Sequence, residues 1–197
     1  MAYDFRSARF WASEIIRGAL PEGGCAVDAT LGNGHDALDL AQLVGERGHV
    51  TGFDVQPEAV AASRARLEAA GVAQRCTLVL DGHQHMRDYL APESADVVLF
   101  NLGWLPGAAH VVTTRTETTL QAVNAALEVL KFGGVLTICI YPGHDEGARE
   151  RDALLAWAQA LDQTRFDAML RCYLNQHKNP PLLIAVKKNL RRAAQSV

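Results

Sequence analysis

The sequence lacks long apolar segments. No stretch approaches the roughly 20 consecutive apolar residues that a membrane-spanning helix needs. The first residues show neither the apolar run nor the small-residue cleavage site of a secretory signal peptide. We therefore expect no membrane contact and predict a cytoplasmic protein.

Closely spaced cysteines are also absent. The four cysteines, Cys25, Cys76, Cys139 and Cys172, are far apart and form no C-x-x-C pair. Each lies at or within a predicted strand. This pattern argues against a zinc site and a disulfide framework, and it is typical of buried thiols in a reducing compartment.

Neither sign of charge dominates the chain. The formal net charge is −3, so an RNA partner would have to be contacted by a local basic patch. Hydrophobic residues make up 49% of the 197 residues and charged residues 21%, a balance typical of globular proteins. The length suits a single domain over residues 1–197 with a full core.

Apolar, β-rich runs alternate with helical patterns along almost the whole chain. Strands are predicted over residues 25–30, 49–55, 76–81, 95–101, 134–141, 166–174 and 182–188. Helices are predicted over residues 36–44, 57–70, 83–90, 116–130 and 145–161, with an amphipathic helix over 2–20. This alternation is typical of an α/β fold with a parallel sheet and helices on both faces.

The end of the chain departs from the alternation. Only residues 175–181 separate the last two predicted strands, which is too short for a helical crossover. Residues 166–188 are therefore predicted to form an antiparallel hairpin. Five parallel strands plus this hairpin resemble the seven-stranded, Rossmann-like fold of class I methyltransferases.

Residues 27–36 read Val-Asp-Ala-Thr-Leu-Gly-Asn-Gly-His-Asp, which predicts a strand, a glycine turn and the start of a helix. Gly32 and Gly34 allow a tight turn and a close approach to a ligand. Asp54 ends the second predicted strand and can accept hydrogen bonds from ribose hydroxyls. These features predict a pocket for a nucleoside-bearing cofactor, with the helix over 2–20 lying over that end of the sheet.

The identity of the cofactor depends on Asp28. The pattern Gly32-x-Gly34-x-x-Ala37 also fits the dinucleotide fingerprint, so the glycines alone do not decide. A carboxylate at Asp28 would repel a pyrophosphate and attract a sulfonium and an α-ammonium group. Together with the absence of a Tyr-x-x-x-Lys pair, it favours S-adenosylmethionine, and a nicotinamide-dependent oxidoreductase stays as the alternative.

Asp81, Gly82 and His83 follow the third predicted strand, where they can reach an adenine edge. His83 and His85 form an H-x-H pair, but no further ligands are spaced to complete a metal site, and none is predicted. The predicted cofactor residues are Asp28, Thr30, Gly32, Asn33, Gly34, His35, Asp36, Asp54, Gln56, Asp81, Gly82, His83, Asn101 and Leu102.

Residues 101–107 read Asn-Leu-Gly-Trp-Leu-Pro-Gly and follow the fourth predicted strand, beside the switch point of the sheet. Asn101 can aim its amide at a reacting amine, Gly103 lets the backbone come close, and Trp104 offers a face for a base. The motif is similar to the Asn/Asp-Pro-Pro-Tyr motif of enzymes that methylate amino groups. A tight apolar turn with a core tryptophan is the alternative.

Residues 141–144 and 175–181 complete the predicted site. His144 can either take a proton or cap the helix that follows it. The amides and cations of 175–181 suit RNA phosphates and base edges. The predicted catalytic residues are Asn101, Gly103, Trp104 and His144. The predicted substrate residues are Trp104, Leu105, Thr113, Thr114, Tyr141, Asn175, Gln176 and Asn179.

These motifs together resemble the small bacterial methyltransferases labelled rRNA methylases, over nearly the whole chain. The residues that carry the resemblance are 27–36, 53–56, 100–107, 113–114, 118–119, 141–144 and 175–181. The resemblance implies methylation of the amine of 5-aminomethyl-2-thiouridine at the tRNA wobble position, with S-adenosylmethionine as cofactor and the anticodon region of tRNA as partner.

Two departures from the family pattern lie near the substrate side. Ala109-His110 stands where an Asp-Lys pair is common, and Asp145-Glu146-Gly147 follows His144 where x-Gly-Gly is common. An rRNA or small-molecule N-methyltransferase and a non-catalytic RNA-binding module therefore stay as alternatives. The apolar residues of the predicted helix over 2–20 favour a homodimer.

Overall fold

The computed structural model describes residues 7–103 and 114–189. Within these ranges seven strands form one sheet: β1 Cys25–Asp28, β2 His49–Asp54, β3 Cys76–Leu80, β4 Ala95–Asn101, β5 Leu130–Ile140, β6 Phe166–Arg171 and β7 Leu182–Lys188. The α-helices are α1 Ala8–Ala19, α2 His35–Val44, α3 Pro57–Ala69, α4 Thr116–Val129 and α5 Asp145–Gln159, and short 3₁₀ helices cover Ala73–Arg75 and His83–Asp88.

The strand order is β3-β2-β1-β4-β5-β7-β6. Strands β1 to β5 are parallel, β7 is antiparallel to β5, and β6 is antiparallel to β7. The predicted Rossmann-like α/β fold, with five parallel strands and a C-terminal hairpin, is confirmed. After β3, at one edge of the sheet, the chain returns to place β4 beside β1. This switch point at the centre of the sheet is where such folds bind ligands.

Two apolar layers cover the sheet. Val97 and Leu99 of β4 pack with α1, α2 and α3, whereas Val98 and Phe100 pack on the opposite face with α4 and α5. This alternation is the two-residue period of a strand that is buried on both faces. None of the helices in the described part of the chain combines the length and the apolar character needed to cross a membrane.

The predicted helix over residues 83–90 is wrong in type. His83–Asp88 form a 3₁₀ helix, in which the amide of His85 donates to the carbonyl of Gly82. The Asp81 carboxylate accepts hydrogen bonds from His85 and Tyr89. These side-chain bonds favour a tight turn over a regular α-helix.

The predicted start of β5 is also wrong. The strand begins at Leu130, directly after α4, and its pairing with β4 shifts between Leu130 and Val135. Gly133 lies in this irregular stretch with φ 85°, a left-handed conformation that glycine adopts easily and that suits a bulge in the strand. In addition, β6 ends at Arg171, and the thiol of Cys172 is exposed, against the expectation of a buried thiol.

Helix α1 covers a face of the sheet. Its residues Ala8, Ala12 and Ile16 are buried, and Ala8 and Ala12 pack with Cys139 of β5 and Leu183 of β7. Of the predicted helix over 2–20, residues 2–6 lie outside the described range. Arg9, in the first turn of α1, donates to Asp36 at the start of α2, so this turn lies near the carboxyl end of β1. That the helix lies over the cofactor stays a prediction.

Replacing Gly34 by alanine tests how tightly the glycine turn packs against α3. Gly34 has φ 74°, and a Cβ there would lie 2.7 Å from Ser63 Cα, whereas Gly71, with φ 69°, has open space around it. Gly71→Ala should lower the free energy of unfolding by about 1–2 kcal/mol, the cost of a left-handed alanine. Gly34→Ala should cost at least twice as much in urea unfolding, and equal costs would show that the turn can move away from α3.

Candidate functional site

The glycine turn is held between two strands and a helix. The amide of Ala29 donates to Leu99 O at 2.9 Å, and the amide of Leu31 donates to Phe53 O at 3.0 Å. On the outer side, Ser63 Oγ donates to Gly32 O at 3.1 Å and Arg66 Nε donates to Asn33 O at 2.7 Å. Both side chains come from α3. The turn is therefore fixed before any ligand arrives.

Asp54 connects β2 to this turn. Its Oδ2 accepts from the amide of Gly32 at 2.9 Å, and its Oδ1 accepts from the amide of Gln56 at 3.0 Å. Burial raises the pKa of Asp54, and these two hydrogen bonds oppose the rise. Each carboxylate oxygen can accept a second hydrogen bond, so the predicted role of Asp54 toward ribose hydroxyls is compatible with its place.

Asp28 is the most unusual group of the site. Its side chain is fully buried, and its Oδ1 accepts from the amide of Thr30 at 3.1 Å. Its Oδ2 has no hydrogen-bond partner among the described residues. Burial raises the pKa of Asp28 to about 8, and the carboxylate of Asp36 contributes in the same direction. A buried carboxyl oxygen without a partner favours a cationic ligand.

Asn101 lies on the neighbouring strand β4, two residues beyond Leu99, which pairs with Asp28. Its backbone amide donates to Thr30 Oγ1 at 2.8 Å, and its side-chain Nδ2 donates to Asp36 Oδ2 at 2.8 Å. The guanidinium of Arg9, in the first turn of α1, donates to the other oxygen of Asp36 from Nε at 3.1 Å and from Nη2 at 2.8 Å. A continuous polar chain thus runs from α1 to β4.

The end of β3 contributes two engaged side chains. Asp81 accepts hydrogen bonds from the Gly82 amide, His85 Nδ1 and the Tyr89 hydroxyl, and the bond from His85 lowers the pKa of Asp81. His83 Nδ1 lies 3.1 Å from Ala29 O, and burial lowers the pKa of His83. His83 therefore joins β3 to the glycine turn as a neutral ring. Their contact with an adenine stays a prediction.

The remaining predicted cofactor residues line the same edge. His35 is exposed at the start of α2, and Gln56 precedes α3. The side chain of Leu102 is buried in the core, and its amide donates to Cys139 O at 2.9 Å, so Leu102 can offer a ligand only its carbonyl oxygen. Among the described residues, no group of His, Cys, Asp and Glu is arranged to hold a metal ion.

Hydrogen bonds join Gly103, which follows β4, to Thr114, which precedes α4. The amide of Gly103 donates to Thr114 Oγ1 at 3.1 Å, and the amide of Thr114 donates to Gly103 O at 3.2 Å. Thr114 and Thr119 donate in turn to the two oxygens of Glu150, which is buried on α5 and whose pKa is raised by burial. The predicted substrate residues Trp104, Leu105 and Thr113 lie outside the described residues.

His144 takes the capping position that the sequence left as an alternative. Its Nδ1 accepts from the amide of Gly147 at 3.1 Å and caps α5, so that nitrogen is engaged. Its catalytic role stays a prediction. Burial raises the pKa of Tyr141 to about 12, so its hydroxyl keeps its proton at neutral pH. Asn175, Gln176 and Asn179 are exposed in the loop between β6 and β7.

Several residues of this site escaped the sequence analysis. Glu150 follows Gly147 and precedes Leu154 on the buried side of α5, so an acid at apolar helical spacing was the available signal. Ser63 stands between Ala59 and Leu67 on the buried side of α3 in the same way. For Arg9 no signal exists, since its partner Asp36 is 27 residues away.

The known proteins that this chain resembles are methyltransferases, in agreement with the geometry of the site. A family model described as "Putative rRNA methylase" matches residues 50–187, more than half of the chain. A chloroplastic tRNA (mnm(5)s(2)U34)-methyltransferase of Arabidopsis thaliana is 30% identical over 178 residues, which are 86% of this chain and 65% of that protein. The chain thus spans less than two thirds of that relative's length.

Solved structures give a closer likeness. A "putative rRNA-methylase" from Clostridium thermocellum shares 39% identity at a TM-score of 0.91, over 94% of this chain and 100% of that one. A "putative methyltransferase" from Streptococcus mutans in complex with SAH shares 35% identity at a TM-score of 0.84, over 94% of this chain and 99% of that one. The chain therefore belongs to this rRNA methylase family of S-adenosylmethionine-dependent methyltransferases.

Proposed function

We propose that the chain methylates the amine of 5-aminomethyl-(2-thio)uridine at the wobble position of tRNA. The observation that carries the proposal is the place of Asn101 at the end of β4, next to the glycine turn. Its backbone amide donates to Thr30 Oγ1, and the amide of Thr30 donates to Asp28, whose other oxygen has no partner among the described residues. A hydrogen-bonding amide next to a site for a sulfonium suits an amine acceptor. The Arabidopsis relative, with the wobble uridine in its name, supports the choice of RNA.

The residues at the edge of β1 and β2 suit the cofactor. Asp28 offers an unpaired carboxyl oxygen to the cationic methionine part, and Asp54 offers oxygens to the ribose. Gly32 and Gly34, at φ 51° and 74°, leave the turn without side chains. When bound, S-adenosylmethionine supplies a methyl group that is already activated by the sulfonium, so the protein's main task is alignment.

The acceptor amine requires deprotonation. An alkylamine such as the lysine side chain has a pKa of about 10.4 in water, so at pH 7 it is mostly protonated and has no lone pair for attack. Partial desolvation in the cleft lowers its pKa, so the ammonium releases a proton to solvent and becomes a neutral amine. The carbonyl oxygen of Asn101 can then accept a hydrogen bond from one of its N–H groups. The neutral nitrogen then bonds to the methyl carbon as the carbon–sulfur bond breaks and its electron pair stays on sulfur. The methylated ammonium releases its proton to solvent.

We further propose a cytoplasmic homodimer. The apolar face of α1 packs on its own sheet and gives no support for a dimer. Strand β6, however, is an edge of the sheet and exposes about half of Met169 and Leu170. Apolar side chains on an unpaired edge strand suit contact with a second copy.

An acceptor assay tests the proposed substrate. The purified chain with labelled S-adenosylmethionine should methylate tRNA from cells that lack the enzyme but still install the wobble aminomethyl group. The matched control is tRNA from cells that do not install this group, and it should take no label. Label in the control tRNA, or in rRNA or small amines alone, would contradict the proposal.

The buried Asp28 makes cofactor binding depend on pH. With a pKa of about 8, Asp28 holds a proton at pH 7, and a cationic cofactor favours the ionised form, so binding releases a proton. The affinity for S-adenosylmethionine should therefore rise as the pH increases from 6 to 8, by up to about tenfold per pH unit, and level off above 8. Calorimetry over this range measures it.

Asp28→Asn is the matched variant because it keeps the shape of the side chain and removes the titration. It should bind S-adenosylmethionine more weakly at pH 8 and lose most of the pH dependence. The same change should raise the melting temperature of the ligand-free protein at pH 8, since the native state no longer has to hold a proton that the unfolded state releases. A pH dependence equal to that of the wild type would refute the assignment.

A further inference from the structure

The side-chain amide of Asn101 has a defined orientation. A carboxylate can only accept hydrogen bonds, so the atom of Asn101 that faces Asp36 Oδ2 at 2.8 Å must be the donor Nδ2. The backbone is fixed on both sides, since the amide of Asn101 donates to Thr30 Oγ1 and the amide of Leu102 donates to Cys139 O. The carbonyl oxygen Oδ1 of Asn101 therefore points away from Asp36.

Arg9 determines which oxygen of Asp36 is available. Its Nε and Nη2 both donate to Oδ1 of Asp36, which leaves Oδ2 for Asn101. The ion pair is partly exposed, with 48% of the Arg9 side chain and 24% of the Asp36 side chain accessible, so it adds little to stability. Its geometric effect on Asn101 does not depend on that small energy.

We propose that Asp36 and Arg9 are positioning residues that present Oδ1 of Asn101 to the acceptor nitrogen. The proposal rests on amine methylation by this site. A side-chain amide without a partner populates both orientations. In the reversed orientation Asn101 would present its NH₂ group, whose hydrogens repel the N–H groups of the acceptor amine. With Asp36 in place, the site offers an acceptor atom, which selects a nitrogen that still carries hydrogen. Helix α1 thereby contributes to catalysis without contact with the reacting atoms.

The proposal assigns Asp36 an effect on turnover that passes through Asn101. Its Oδ1 accepts two hydrogen bonds from Arg9, and its Oδ2 accepts one from Asn101. Asp36→Ala should lower kcat by about 10-fold to 100-fold, the range expected when a reacting group loses its alignment. At pH 9, where Asp28 is mostly ionised with or without Asp36, the Kd for S-adenosylmethionine should stay within about threefold of the wild-type value.

A double-mutant cycle tests whether Asp36 acts through Asn101. In an Asn101→Ala background, Asp36→Ala should change kcat by less than about twofold. Fully additive losses would overturn the proposal, as would a strong loss of cofactor affinity in Asp36→Ala. The cycle can use any RNA that the wild-type chain methylates, so it remains valid even if the wobble amine proves to be the wrong acceptor.

The variant Asp36→Asn gives a sharper test, since its amide has only one acceptor oxygen. Arg9, as the charged donor, should take that oxygen, and the new NH₂ should turn Asn101 into the reversed orientation. Asp36→Asn should therefore be as slow as Asp36→Ala, and the double variant Arg9→Met/Asp36→Asn should be faster than Asp36→Asn alone. If the role of Asp36 were purely structural, Asp36→Asn should be faster than Asp36→Ala, and adding Arg9→Met should slow it further.

A measurement without substrate completes the experiment. The side-chain amide of Asn101, assigned by its loss in Asn101→Ala, should give NMR signals with one proton shifted downfield and slow to exchange. Asp36→Ala should remove both properties, while the folded spectrum is otherwise kept. An unchanged Asn101 amide signal in Asp36→Ala would overturn the proposed orientation, whatever the acceptor is.

Discussion

A buried carboxyl group without a counter-charge controls this site. Asp28 ends β1 with its side chain fully buried and one oxygen lacking any partner in the described part of the chain. Removing a carboxylate from water costs several kcal/mol unless a cation compensates, and the pKa of about 8 reflects this cost. The ligand-free protein therefore carries a destabilising group at the centre of its sheet. Such a group is typical of a binding site, where the compensating charge comes from the ligand.

The surrounding structure keeps that site in shape. Ser63 and Arg66 hold the glycine turn from α3, His83 joins β3 to it, and Asp54 fixes it from β2. On the proposed acceptor side, Arg9 donates to Asp36, and Asp36 in turn accepts from the side chain of Asn101. The proposed cofactor half thus depends on short connections within the sheet and α3, whereas the proposed acceptor half depends on α1, which lies far away in the sequence.

The sequence predicted the parts of the protein whose residues are neighbours along the chain. The alternation of strands and helices, the hairpin and the glycine turn follow from hydrophobic periodicity and glycine spacing, and Asp28 indicated the cofactor by its charge. Contacts between distant segments were not predictable in this way. Nothing in the local pattern of Arg9 shows that it pairs with Asp36. The spacing of Glu150 on α5 indicates a buried acid, but it does not show that Thr114 and Thr119 donate to it. His144 shows the same limit, since either a cap or a base fits its sequence position and only the Gly147 hydrogen bond shows that it caps α5.

We propose that the chain adds a methyl group to a wobble aminomethyl uridine. The most direct measurement is mass spectrometry of tRNA nucleosides from cells in which the gene for this chain has been deleted. We expect the methylaminomethyl uridine to disappear and the unmethylated aminomethyl uridine to accumulate, with recovery when the gene is restored. An unchanged level of the methylated nucleoside in the deletion strain would contradict the claim.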